Sequence, residues 1–193
     1  YSFFTLAPYI FIFLIPAITM RSFAEEKKAG TIELLLTKPL TDWDIILGKY
    51  LASFLLVIVA LIPTLIYYFS IYYLGNPEGN IDTPGVIGSY TGLALLGGVF
   101  CTAGILASSV TPNQIVAFIS SAFLCFLWFS GFESLSSLSM WSENAMTVKQ
   151  LGILYHYDAL SKGVIDSRNV IYFMSTGFIM LLITKIVIGS RSW

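Results

Sequence analysis

Charged residues are missing from long runs of this chain and crowded into two segments, 21–49 and 133–168. Tyr1–Met20 has no Asp, Glu, Lys or Arg. A helix needs about 20 apolar residues to cross a hydrocarbon core, so this run predicts a membrane span over 2–21. Pro8 and Pro16 fall inside it, which lipid-embedded helices tolerate when neighbouring groups satisfy the freed carbonyls. A second uncharged run predicts a span over 50–74. Pro63 is near its middle, and Tyr67, Tyr68, Tyr72 and Tyr73 crowd one end, where an interfacial aromatic belt belongs. No charge occurs from Thr83 to Phe132. That is too long for one crossing, so the run must fold back, and Ser108–Gln114 with Pro112 supplies the turn. This predicts spans over 85–108 and 114–133. A fifth span is predicted over 170–189, with Lys185 near its end, where its stem can snorkel to the headgroups. The expected fold is an all-α integral membrane protein, a polytopic helical bundle with five visible spans.

The segment 22–49 reads as an amphipathic element between the first two spans. Ile32, Leu35 and Leu36 are spaced for one face of a helix running from Phe23 to Leu36. Gly30-Thr31 marks a point where that helix can bend or restart, with Thr31 able to cap a second short helix. Pro39 ends it. Thr41-x-x-Asp44 is a capping signal for the next helix, and Trp43 and Tyr50 fit an aromatic belt at the membrane surface. The segment 134–168 interleaves charges with Trp141, Tyr155 and Tyr157 and predicts short amphipathic helices at the opposite surface. In the third span, Gly88-x-x-x-Gly92 and Gly104-x-x-x-Ser108 place small residues on one face, where another helix can approach closely. Packing within the chain and a dimer- or pore-facing surface both fit that pattern.

Composition agrees with lipid as the solvent: 56% of residues are hydrophobic and 11% charged, against about 25% charged in a soluble domain. Charge also sets the orientation. Arg21, Lys27, Lys28, Lys38, Lys49, Lys185 and Arg191 fall on one side of the alternation, and Lys149, Lys162 and Arg168 on the other. The positive-inside rule then places 21–49 in the cytoplasm. Five spans with a cytoplasmic C-terminus put Tyr1 outside, which leads to the expectation of a further span before it. Tyr1–Met20 has neither the basic region nor the cleavage site of a signal peptide.

Candidate chemistry is sparse. Gly48-Lys49 is not a Walker A loop, since Trp43 stands where its first glycine belongs. There is no H-E-x-x-H and no G-x-S-x-G. His156, the one histidine, cannot build a histidine-based metal site alone and reads as an interfacial side chain. Cys101 and Cys125 lie in apolar runs and read as small buried hydrophobes. No basic cluster with an aromatic platform points to nucleic acid. No catalytic residue, metal ligand or bound cofactor is expected in this chain. Its spans are nearly free of the intramembrane charge that marks ion pathways, so energy for any transport must come from a partner acting on 21–49.

The run from Met20 to Pro39, MRSFAEEKKAGTIELLLTKP, resembles the signature of ABC-2-type transporter permeases, and Gly48-Lys49 matches their G-K at the start of the next span. Gly163-Val164-Ile165-Asp166-Ser167-Arg168-Asn169 resembles the stretch before the family's last span. Phe3–Pro8, Leu74–Pro77 and Asn113–Phe118 are similar to its gliding-motility-associated branch. The resemblance implies a single transmembrane permease domain over 1–193 in the bacterial inner membrane. It also implies a second permease subunit, homo- or heterodimeric, and a separate ABC ATPase that binds ATP and Mg. The ATPase-coupling residues would be Glu25, Glu26, Lys27, Gly30, Thr31, Glu33, Leu35, Leu36 and Pro39. The glutamates would pair with basic groups, and the leucines would fill a groove on the ATPase. Two other readings stay open: a membrane scaffold of a motility or secretion machine that moves no solute, and an ion-coupled secondary carrier.

Overall fold

The computed structural model describes residues 2–31, 41–74, 82–137, 145–164 and 166–190, and these residues are helical with short connections. The elements are α1 (Ser2–Thr19), α2 (Ala24–Ala29), α3 (Asp42–Leu61), a 3-10 turn (Ile62–Thr64) and α4 (Leu65–Leu74). There follow α5 (Thr83–Val110), α6 (Gln114–Phe126), a π turn (Leu127–Gly131), α7 (Phe132–Ser136), α8 (Ala145–Gln150), α9 (Ile153–Ser161) and α10 (Ser167–Gly189). Five helical segments among the described residues are long and apolar enough to cross a membrane. The chain is an all-α polytopic membrane protein.

The longest helix is the axis of the bundle. In α5, 78% of the most apolar stretch is buried, against at most 39% in the other four spans. Its neighbours are α1, α3, α6, α9 and α10. Small residues make this possible, because a helix without Cβ bulk lets surrounding backbones approach. A Cβ on Gly88 would stand 2.3 Å from the carbonyl oxygen of Leu160 in α9, and one on Gly104 would stand 1.9 Å from Thr19 Oγ1 in α1. Gly92 faces Leu160 and Tyr157. These glycines therefore meet groups of their own chain. Around them Phe11 and Ile15, Val57, Leu93 and Phe100, Phe129, Leu160 and Phe173 close one apolar core. Cys101 and Cys125 are buried and unpaired within it.

The helix carrying the second uncharged run begins at Asp42, as the Thr41-x-x-Asp44 signal predicts: the Thr41 hydroxyl accepts from the Asp44 amide and the Asp44 carboxylate accepts from the Thr41 amide at 2.9 Å. One expectation changes. Tyr50, expected in a surface belt, turns inward: its ring stacks on Phe54 at 5.9 Å and packs against the core. Pro63 appears as a 3-10 turn that ends α3 and starts α4, because proline cannot donate to the helical ladder.

Candidate coupling site

One end of the bundle gathers the C-termini of α1, α5 and α10, the start of α3 and the short helix α2. Six residues are too few to hold a helix in water, where about 12–15 are needed. The sequence of α2 helps: Glu25 and Glu26 occupy its first turn and Lys27 and Lys28 its last, each sign matched to the helix dipole. Gly30 closes it in the left-handed conformation at φ 68°, donating to the Glu26 and Lys27 carbonyls, a conformation glycine adopts without strain. Phe23, at the N-cap, has no capping side chain of its own.

The missing cap comes from another span. Ser108, in the last turn of α5, accepts from the Phe23 amide at 2.9 Å and the Ala24 amide at 3.0 Å, and donates to the Met20 carbonyl at 3.1 Å. One buried hydroxyl thus caps α2 and fixes the turn between α1 and α2. At the adjacent carbonyl of α5, Lys27 Nζ donates to Ser109 O at 2.5 Å, placing a cation at the negative end of the longest helix.

A third tie reaches α3. Lys49 Nζ donates to Ser22 O at 2.5 Å and to Glu26 Oε1 at 2.6 Å, and lies 4.8 Å from the centroid of the Phe23 ring. Beneath it, Phe23, Ile45, Ile46, Ile105, Leu181 and Ile188 form a second apolar cluster joining α3, α5 and α10. Trp43 stacks on Phe178 at 6.2 Å, and Lys185 Nζ lies 5.1 Å from the Trp43 ring. The buried side of α2 is Ala24, while Glu25, Lys28, Ala29, Gly30 and Thr31 are exposed. The arrangement is a short helix bonded to α3 and α5 and joined to α1 by the turn at 20–23, with one face open.

The structure brings Glu26, Lys27 and Ser108 together at this site and leaves Glu25 on the open face. The helix expected from Phe23 to Leu36 is interrupted at Gly30. Thr31 Oγ1 lies 3.4 Å from the Glu26 carbonyl, so its hydroxyl turns back toward α2. Glu33, Leu35, Leu36 and Pro39 lie outside the described residues.

At the opposite end, the short helices of 145–161 fold against α5, α7 and α10. Tyr157 reaches inward and donates to the Phe4 carbonyl at 2.7 Å, and burial pushes its phenol pKa up. Asp158 is exposed, yet partial desolvation by its neighbours lifts its carboxyl above its ordinary value, and the Glu133 charge adds to this, with Lys162 and Lys149 opposing. His156 is held at both ring nitrogens, 2.8 Å from Asn169 Oδ1 and 2.9 Å from the Gln150 carbonyl, and stacks on Tyr172 at 3.9 Å. Its ring is thus fixed in place while partly exposed.

Among the described residues no group of three His, Cys, Asp or Glu side chains is placed to hold a metal. The decisive comparison is with family profiles: one described as ABC-2 family transporter protein matches residues 3–189. The chain belongs to the ABC-2 transporter family. It is a permease component of an ABC transporter. No curated protein and no solved structure matches the chain.

Within this permease, sequence reasoning missed three partners of α2. By pattern Ser108 reads as a small packing residue and Lys49 as part of a motif, and nothing in the sequence marks the Ser109 carbonyl. Ser108 is 85 residues from Phe23, so no local pattern could have linked them.

Proposed function

We propose that this permease works with a separate ATPase whose movement enters through α2 and leaves through α1, α3 and α5. The observation that carries the reading is that α2 is bonded to α3 and α5 and follows α1 directly through the turn at 20–23, while Glu25 and Lys28 stay exposed. A push on the open face cannot be absorbed locally, because every tie on the buried face ends on a membrane helix. Ile105 and Leu181, packed beneath, extend the path into the core.

In this reading 21–49 faces the cytoplasm of a bacterial inner-membrane protein, ATP and Mg bind to the partner, and this chain binds no cofactor. Glu25, Glu26, Lys27, Gly30, Thr31, Glu33, Leu35, Leu36 and Pro39 form the receiving element. A second permease subunit, identical or related, completes the transmembrane unit. The direction is export, in a gliding-motility system. The last point is supported only by the resemblance of Phe3–Pro8, Leu74–Pro77 and Asn113–Phe118 to GldF.

The test is co-purification of the full chain with its ATPase after Glu25→Arg and Lys28→Glu, together and singly. These exposed positions leave the α5 ties intact, so loss of the ATPase with an unchanged permease supports the reading. Full retention of the ATPase with unchanged ATP-driven transport in proteoliposomes overturns it. Transport that follows an ion gradient without ATP identifies a secondary carrier, and a complex that holds together but moves no solute identifies a scaffold.

A further inference from the structure

Between Arg168 and Arg191 the chain has one charged residue, Lys185. It stands in the last part of α10, which ends at Gly189. Phe178 lies about two turns earlier on the same helix, so the two share one stripe. Trp43, in the first turn of α3, meets both. Its ring stacks on Phe178 at 6.2 Å with the planes 7° apart, and Lys185 Nζ lies 5.1 Å from its centroid. The stripe is not covered by the bundle: Phe178 is 56% exposed and Ile186, next to Lys185, is 69% exposed. Lys185 and Trp43 are themselves partly exposed.

A ring face stabilises a cation, but the ammonium still carries N–H donors that need acceptors, and so does the indole. The described residues supply none. Lys185 is in neither of the ion pairs found among them, Glu26–Lys49 and Glu133–Lys149, and no hydrogen bond within them reaches its ammonium or the Trp43 N–H. The carboxylates beside Trp43 are already committed. Asp44 accepts from the Thr41 amide and hydroxyl, and Asp42 is not free. Two donors, one of them charged, thus stand together where a span leaves the hydrocarbon, with apolar surface on the side facing the membrane. Water can serve the donors but neither balances the charge nor covers Phe178 and Ile186. A phospholipid does all three, through its phosphate and its acyl chains. Charge selects the head: a zwitterion brings its own ammonium against Lys185, whereas a net anion does not.

We propose that Lys185 and Trp43 form a site for the phosphate of an anionic phospholipid, which bridges α10 and α3 at the membrane surface while its acyl chains cover Phe178. The site uses none of the open face of α2, so it is independent of the ATPase contact and stands or falls without it.

The test uses the full chain in proteoliposomes and Trp43 as its own reporter, its fluorescence isolated by subtracting the response of Trp43→Phe. Quenching is read with phosphatidylglycerol or phosphatidylcholine carrying brominated acyl chains. The Trp43 signal should reach half-quenching at about fivefold lower mole fraction of phosphatidylglycerol, the preference expected of one lysine near an anionic head. Lys185→Gln should bring the two curves together, and Lys185→Arg should keep them apart. The reference is Leu55→Trp in the Trp43→Phe background. Leu55 is 61% exposed on α3, and a tryptophan there should show no preference. Equal curves in the parent chain, a preference that survives Lys185→Gln, or the same preference at Leu55→Trp overturns the proposal. So does loss of the preference on adding millimolar inorganic phosphate, which would make the ligand a soluble anion rather than a lipid.

Discussion

Replacing Ser108 with alanine deletes one hydroxyl and leaves two amides and a carbonyl of the α1–α2 turn without their partner. Loss of a helix cap costs about 1–2 kcal/mol, and a buried amide left unbonded costs about 1–3 kcal/mol. The two amides share one oxygen, so the penalties overlap, and about 2 kcal/mol is the reasonable sum. That is roughly a thirtyfold fall in the docked population of α2. The six residues of α2 have no intrinsic helicity in reserve, so the loss falls on that helix. The interior of α5 is held by five neighbouring helices and is not expected to change. Hydrogen exchange followed by mass spectrometry separates the two. Peptides over 20–29 should exchange about thirtyfold faster in Ser108→Ala, while peptides over 93–104 keep their protection. If 20–29 exchanges at the parent rate, the hydroxyl is not what holds α2. If α5 loosens equally, Ser108 is a packing residue of the core, and the local account is wrong.

Four further outcomes follow from the same geometry. Gly88→Ala forces a Cβ against the Leu160 carbonyl, which cannot move aside as a side chain would; it should lower the thermal midpoint by the equivalent of about 1–3 kcal/mol, and an unchanged midpoint would show that α9 is free to shift. Gly48, by contrast, has nothing within 4 Å and sits inside α3, so Gly48→Ala should stabilise by about 0.5–1 kcal/mol in the same melt; destabilisation would mean that α3 requires a glycine there. A double-mutant cycle of Lys49→Met and Glu26→Gln, read as unfolding free energy, should give a coupling of about 1 kcal/mol for this partly exposed pair, and additivity would remove the tie between α2 and α3. Asp158 has a raised pKa in the folded protein, so the folded state holds its proton more tightly than the unfolded chain does. Its contribution is therefore favourable below the ordinary value of 3.8 and is lost as pH rises through the folded value. Asp158→Asn should accordingly raise the midpoint at pH 7, with the gain shrinking toward pH 3; a lowered midpoint at pH 7 would contradict the desolvation argument.

The spans were legible because lipid imposes a crude requirement, some 20 residues without charge, and the chain meets it in plain view. The reversal after Val110 was legible for the same reason, with Pro112 to mark it. What was not legible divides by physical cause. The start of α3 at Thr41–Asp44 is legible as a cap; what the sequence hides is which side of that helix turns inward. The inward turn of Tyr50 follows from its position on that helix, since its hydroxyl would lie 3.1 Å from a Cβ on Gly98. An aromatic residue near a membrane boundary satisfies the belt pattern whichever way it points. The role of Ser108 is the most instructive case. A small residue four positions after Gly104 looks the same whether its hydroxyl bonds within its own helix or caps another. Ser109, next to it, takes the first course and donates to the Leu106 carbonyl at 2.7 Å. Composition and spacing are identical for the two; what distinguishes them is the turn at Thr19–Phe23, which brings two unpaired amides to one serine and not to its neighbour. The docking of α2 is therefore specified at the level of tertiary approach, by the close contact of Gly104 with Thr19 that sets α1 against α5 and so delivers those amides to Ser108.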